Sequence, residues 1–454
     1  MNQLRLGASM RLPDLDDKWY HAQMKAFYQF LANTIIASVT NSTVWFSLVF
    51  YTYLQTRAVL ATSLLSGIYL AAVAITGLWF GSLIDHHRKK QVMLVGSCVS
   101  LVLYVIGLAI YLLVDPTVFA QINSLWLWIF ASVLLSGVVV SSIRNIALPT
   151  VVTLMVPEDG RDKANGLAGT ANGIAFLVTS VISGILVGHS GMLWVLILAV
   201  ISTGVTLSHL LSLNITETKI QHVPGATHLS KLDLAGTLKA IGAVPGLLAL
   251  IFFTMFNNFL GGVYMALMDA YGLSLVSVQT WGWLWGGLSC AFILGGAIIA
   301  KFGLGKNPLR SMFLANLVIW SVSSVFTIYP SIILLGVGMF IYLAVVPFIQ
   351  AAEFTIIQKV VPVDRQGRVF GFAQSVEQAA SPLTAFAIGP LAQFVFIPFM
   401  TTGAGVDLIG GWFGTGADRG IALVFTLAGM IGLCTTIWAM KSKYYTLLSK
   451  HYSK

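Results

Sequence analysis

The sequence predicts an all-α membrane protein: twelve transmembrane helices in two pseudo-symmetric six-helix bundles. Three observations predict it, namely the composition, the spacing of the charged residues and a weak internal repeat. Of 454 residues, 57% are hydrophobic and only 9% charged, and the mean hydropathy is +0.86. A soluble domain carries about 25% charged residues; a soluble fold this poor in charge could not cover its surface and would aggregate. A cytosolic enzyme, a nucleic-acid-binding module and a disordered chain are thereby excluded. The net charge of +9 is spread as isolated residues between apolar runs and does not signal nucleic acid. Cys98, Cys290 and Cys434 sit inside apolar runs, too few and too dispersed for a disulfide framework or a zinc site.

A membrane helix needs about 20 apolar residues, and intervals free of Asp, Glu, Lys and Arg supply them in order. Residues 1–25 are polar and lack a cleavable signal pattern, so the first apolar run stays in the membrane. Lys25 to Arg57 leaves 31 such residues for helix 1, and Arg57 to Asp85 leaves 27 for helix 2. Lys90 to Asp115 leaves 24 for helix 3, and Asp115 to Arg144 leaves 28 for helix 4. Lys163 to Glu217 leaves 53, enough for helices 5 and 6 with a turn at 189–191. Lys239 to Asp269 leaves 29 for helix 7, and Asp269 to Lys301 leaves 31 for helix 8. Arg310 to Glu353 leaves 42 for helices 9 and 10, turning at Tyr329-Pro330. Arg368 to Asp407 holds helix 11, interrupted only by Glu377, and Arg419 to Lys441 leaves 21 for helix 12. Barrel strands would read as alternating segments of about ten residues, and these runs are too long and unbroken.

With twelve spans both termini share a side. That side carries 22 of the 25 basic residues, so the positive-inside rule makes it cytoplasmic, in a bacterial inner membrane. Arg57 and Arg419 fall on the opposite side, and Arg144 falls inside a span.

The repeat relates VPEDGRDKANGL (156–167), after helix 4, to VPVDRQGRVFGF (361–372), after helix 10. At an offset of 205 residues, Pro157, Asp159, Lys163 and Gly166 match Pro362, Asp364, Arg368 and Gly371. GSLIDHHRKK (81–90) has a degraded counterpart, GGAIIAKFGLGKNP (295–308). This divides the chain into an N-terminal bundle (1–214), a cytoplasmic linker (215–240) and a C-terminal bundle (241–454). Two halves in one orientation place a substrate site near midplane at their interface. Glycine series such as Gly166, Gly169, Gly173 and Gly282, Gly286, Gly287 fit close helix approach in a bilayer.

The loop at 81–90 resembles the signature loop of the major facilitator superfamily: Gly, three residues, Asp, then a basic cluster between helices 2 and 3. Gly81 and Asp85 match, Lys89 and Lys90 supply the basic end, and His86 and Arg88 depart from the usual residues. The resemblance implies that the Asp caps a neighbouring helix and pairs with an Arg, a contact made and broken as the halves rock. WFGSLIDHHRKK (79–90), NNFLGGVYMALMDAYGLSLVSVQTWG (257–282), GPLAQFVF (389–396) and FGTGADRGIAL (413–423) look like the macrolide-efflux-like branch of the drug:proton antiporters. That branch implies proton-driven bacterial export of small amphipathic molecules. TSVISG (179–184) in helix 5 lacks the Pro that antiporters of this superfamily often carry there.

Ionisable residues inside spans usually face a cavity and mark a pathway. Arg144 lies about 20 Å up helix 4, and Glu353 and Glu377 each about 13 Å up helices 10 and 11. Glu377 aligns with Asn172 at the 205 offset. A carboxyl at half depth is partly desolvated, which favours its neutral form. Glu377 is expected to carry the coupling proton, with Glu353 in reserve; the alternative is a structural Arg144–Glu353 ion pair. For substrate binding the candidates are Asn41, Trp45, Asn172, Phe256, Asn257 and Asn258, an aromatic and mildly polar wall suited to apolar or cationic ligands. In the resembled fold, helices 1, 4, 7 and 10 line the cavity.

No HExxH, no GxSxG in a span and no P-loop is present, so neither an enzyme, nor a bound metal or cofactor, nor ATP as energy source is expected. The expectation is a monomeric secondary active exporter that exchanges a small-molecule substrate for protons across the lipid bilayer. A facilitator or importer of a nutrient or peptide in the same fold remains the alternative.

Overall fold

The computed structural model describes residues 13–56, 59–213 and 234–452. Twelve long helices appear among them: α1 (Pro13–Thr56), α2 (Val59–His86), α3 (Lys89–Leu113), α4 (Leu125–Met155), α5 (Arg161–Ser190), α6 (Leu193–Ser212), α7 (Leu247–Leu275), α8 (Val278–Phe302), α9 (Pro308–Val325), α10 (Ile332–Val360), α11 (Val363–Leu391) and α12 (Ala417–Lys441). No strand occurs among the described residues. Ten of these helices are long and apolar enough to cross a membrane by themselves. The other two are α9, the shortest at 18 residues, and α11, whose first half carries Asp364, Arg365, Arg368 and Glu377. Beyond α11 the chain continues through Phe386–Thr401 into Ala404–Phe413 with a 75° bend, a feature the charge-free intervals did not anticipate. Of the expected linker, only its end is described, as the short helix Leu234–Gly242; Arg57 also lies outside the described residues.

The apolar core has three parts. One is built from the far ends of the first six helices, including Val44, Tyr51, Phe119, Phe130 and Val195. A second is built from the far ends of the last six, including Tyr264, Tyr271, Trp320 and Phe425. The third lies at the ends nearest the termini and draws on both halves, from Phe27, Ile84 and Val152 to Ile299, Ile356 and Val369. The two halves are thus separate on one side and fused on the side of the termini.

The glycines report the same asymmetry along the four helices that meet between the halves. Near the termini, a Cβ added at Gly77 or Gly81 of α2 would run into α11, and one at Gly166 or Gly173 of α5 would run into α8. A Cβ at Gly371 or Gly296 would in turn strike Gly77 or Thr170. At the far ends of the same helices, Gly67, Gly184, Gly188, Gly282, Gly286 and Gly389 have nothing within 4 Å. The helix pairs α2–α11 and α5–α8 therefore touch on the side of the termini and splay apart on the other.

On the splayed side the C-terminal half is stapled by Arg419, which is 2% exposed. Its Nε donates to Phe413 O (2.6 Å), one Nη to Tyr271 Oη (3.3 Å) and the other to Ile328 O (2.5 Å). The guanidinium also lies 4.2 Å from the Phe413 ring centroid. This one side chain joins α7, the α9–α10 turn and the loop before α12. Arg419→Ala leaves buried acceptors unpaired at about 1–3 kcal/mol each, so a drop of several degrees in the melting temperature of the purified protein is expected. An unchanged melting temperature would show the staple to be dispensable.

Candidate functional site

The gate on the side of the termini is built around Asp85, at the end of α2. Its side chain is 1% exposed. Gly367 N donates to Oδ1 at 2.6 Å, and Arg368 N and Nε donate to Oδ2 at 2.9 and 3.1 Å. The carboxylate therefore docks on the backbone of the second turn of α11, at its fifth and sixth residues, and pairs with its arginine. Gly81, one turn earlier, leaves the space that the Gly367 carbonyl occupies. The basic end of the loop acts elsewhere: Lys90 Nζ donates to Leu211 O (2.9 Å) and Leu213 O (2.6 Å) at the end of α6, and Lys89 is buried in the first turn of α3.

A second latch occupies the pseudo-equivalent place with its polarity reversed. The α8–α9 loop has no acid where the α2–α3 loop has Asp85. Instead Asp162, in the first turn of α5, accepts from Leu304 N at 2.8 Å, and Gly303, at φ +73°, leaves it room. Between the latches, Asn165 Nδ2 donates to Thr355 Oγ1 (2.9 Å) and Gln358 Oε1 (2.8 Å), and Gln358 Nε2 donates to Pro149 O (2.7 Å). Glu158 and Lys359 pair at 3.2 Å. These bonds all join one half to the other.

Arg144 departs from the alternative drawn from the sequence. It does not pair with Glu353; its two Nη groups donate to Asn33 Oδ1 and Ser97 Oγ, both at 2.8 Å. Asn33 is itself held by Thr206 O (2.8 Å) and His209 Nδ1 (3.1 Å). The guanidinium belongs to a neutral polar cluster within the first six helices.

Glu353 lies instead against Glu377. The two carboxyls are close enough to influence each other, and Thr254 Oγ1 reaches Glu353 Oε1 at 3.5 Å. Glu377 Oε1 is shielded and without a partner. The division of labour expected from the sequence, with Glu353 tied to Arg144 and Glu377 free, is replaced by a carboxyl pair joining α10 to α11 beside α7.

The expected substrate residues separate into two groups. Asn41 and Asn172 line a cavity of about 210 Å³ between α1, α4 and α5, and Tyr104 donates to Asn41 Oδ1 at 3.2 Å. Asn258 is exposed on α7, and Phe256 stacks on Phe259 at 6.3 Å between centroids. Asn257 is used internally: Nδ2 donates to Phe253 O (2.7 Å), and Oδ1 accepts from Trp320 Nε1 (2.6 Å). Trp45 stacks on Tyr69 at 4.2 Å between centroids, packing α1 on α2. For these last two, packing replaces the expected ligand role.

Asp162, Asn165, Gln358 and Thr254 were not singled out in the sequence. The signal for Asp162 was available, since the α8–α9 loop keeps glycines and lacks the acid that would latch it. The others are uncharged residues in charge-free runs or lie in the repeat next to the residues that match.

Two helical halves latched across one end and parted at the other are the build of an alternating-access membrane transporter. The chain belongs to the Major Facilitator Superfamily, whose model matches residues 30–385. It is 22% identical over 393 residues to macrolide efflux protein A of Streptococcus pyogenes, covering 81% of this chain and 89% of that protein. Its fold is similar to a bacterial homologue of the iron transporter ferroportin in an outward-facing state (TM-score 0.68, 15% identity, 94% of this chain and 100% of that one). It is also similar to the E. coli fucose:proton symporter (TM-score 0.64, 11% identity, 90% of this chain and 98% of that one). The chain is accordingly a transporter and not an enzyme.

Proposed function

We propose that this transporter is a proton-coupled exporter of small amphipathic compounds, macrolide-like among them, working as a monomer in a bacterial inner membrane. The observation that carries the reading is the juxtaposition of buried Glu353 on α10 with half-buried Glu377 on α11, the helix that also holds the gate. Hydrocarbon-depth carboxyls are costly and mark proton relays, and among the described residues neither of these two forms an ion pair with an arginine or lysine. Export rather than import is supported by the likeness to a macrolide efflux protein. With the basic residues facing the cytoplasm, the latched side is cytoplasmic and the parted side faces outward, ready to take up a proton.

Two measurements test this. Cells loaded with erythromycin should extrude it, and an uncoupler should abolish the extrusion; accumulation instead would favour an importer. In a background lacking Cys98, Cys290 and Cys434, which are free and exposed, Ala120→Cys and Leu408→Cys should react with an impermeant thiol reagent in intact cells. Lys306→Cys should not, and its labelling would invert the orientation.

A further inference from the structure

We propose that the cavity beside Arg144 is an anion site, and that a further class of transported compounds beside the macrolides, those carrying a carboxylate or similar monoanionic oxyanion group, binds there. Arg144 is 4% exposed and forms part of the cavity wall, together with Ser38, Asn41, Ser42, Ser141, Asn145 and Asn172. A guanidinium has five N–H donors. Two are used, on Asn33 and Ser97, which leaves three without a protein acceptor. Among the described residues no carboxylate pairs with it: the ion pairs are Glu158–Lys359, Asp364–Arg365 and Asp85–Arg368. The cavity wall holds no acid, and Glu353 and Glu377 face each other in the other half.

A buried charge without a counter-charge is costly, and breaking such a pair leaves the cost uncompensated. Buried charges are accordingly paired, and here the missing partner is supplied from outside the chain. A planar guanidinium presents its donors as a fork that fits two carboxylate oxygens. Asn33 and Ser97 hold the plane of the guanidinium, so it is oriented before the ligand arrives. The amides of Asn41, Asn145 and Asn172 and the serine hydroxyls add neutral donors, which bind an oxyanion without competing as counter-charges. Ligand pockets run to roughly 300–1,000 Å³; at about 210 Å³ this cavity takes the anionic head. Asn145, Asn172 and Phe176 are exposed at its wall, so the rest of an amphipathic molecule extends beyond it.

The inference adds a second substrate class to the proposed exporter and rests on that reading only for its access route; it requires neither proton coupling nor outward direction. The test is fluorescence anisotropy of the full chain in nanodiscs, with empty nanodiscs subtracted. The probes are rhodamine 110 and its methyl ester rhodamine 123, which share a cationic ring system and differ in the free carboxylate. Rhodamine 110 is expected to bind about tenfold or more tightly than the ester, as charged hydrogen bonds dictate. Arg144→Gln should erase the difference and Arg144→Lys should retain part of it. Asn172→Asp leaves the bonds of Arg144 to Asn33 and Ser97 in place and adds a carboxylate to the wall; it should weaken rhodamine 110 about tenfold and spare the ester. Equal or tighter binding of the ester, absence of saturable rhodamine 110 binding, or an unaltered preference in both Arg144→Gln and Asn172→Asp would overturn the anion site. Carboxylate preference that persists where the uncoupler has no effect upholds this site and removes proton coupling alone.

Discussion

Asp85→Asn is expected to lower transport at least about tenfold while leaving expression and melting temperature near those of the parent. Three hydrogen bonds converge on the carboxylate, two from the backbone of α11 and one from Arg368. Hydrogen bonds to charged groups contribute about 1.5–3 kcal/mol each. An amide keeps the shape, but its NH2 end faces donors and its charge is gone, so a loss of about 3 kcal/mol follows. That loss acts on conformation because the bonds exist only while α2 and α11 are together; an interaction shifts an equilibrium only by its difference between the two states. About 3 kcal/mol is roughly a hundredfold change in the ratio of latched to unlatched molecules. Nitroxide pairs at Asp159 and Lys306, both exposed on the latched side in opposite halves, should report longer distances in the Asn variant. Full transport with unaltered distances would reduce Asp85 to an anchor residue.

Depth in the membrane was legible from charge spacing, and azimuth around each helix was not. Intervals between charges placed the long helices in order because a charged side chain in hydrocarbon is costly wherever it points. The same intervals put Arg144 and Glu353 at comparable heights, which made an ion pair plausible. Height does not say that Arg144 faces Asn33 and Ser97 on α1 and α3, or that Glu353 faces α11. Those directions come from how the helices pack, and the long spans are apolar almost all round, so a periodic stripe gives little guidance. Asp85 was legible for the opposite reason: a loop motif fixes residue and partner by local geometry. Asn257 and Trp45 show the cost of reading polar and aromatic residues singly, since in a bundle an Asn is as readily spent on a neighbouring Trp as on a ligand. The bend after α11 was hidden because its residues, from Phe386 to Phe413, are as apolar as a straight span.

Glu377→Gln and Glu353→Gln should each abolish substrate-dependent proton flux, because the two residues act as one unit. Carboxyl groups hydrogen-bond each other only when at least one carries a proton, since a carboxylate has acceptors alone. In this scheme the two carboxyls share a proton while they sit together in the latched molecule. Removing that proton leaves two like charges in contact, which repel, and the repulsion acts between α10 and α11. Glu377 lies ten residues beyond Gly367 on α11, about 15 Å along one continuous helix. A shift of α11 at Glu377 is thus delivered to the bonds that Asp85 makes with Gly367 and Arg368 near its start. The state of the pair and the state of the latch are thereby coupled, so that a proton taken up on the open side is carried to the other side as the latch opens. In this scheme a Gln at either position donates its amide N–H to the remaining carboxyl whether that carboxyl is charged or neutral, so no like-charge repulsion develops and the transporter rests latched. Pyranine-loaded proteoliposomes given substrate should show proton movement with the parent and at least about tenfold less with each variant, while substrate binding persists. If Glu353→Gln keeps the parental flux and Glu377→Gln does not, Glu377 titrates alone and Glu353 only positions it. If both variants move protons as the parent does, the coupling does not run through these carboxyls and the link from pair to latch fails with it.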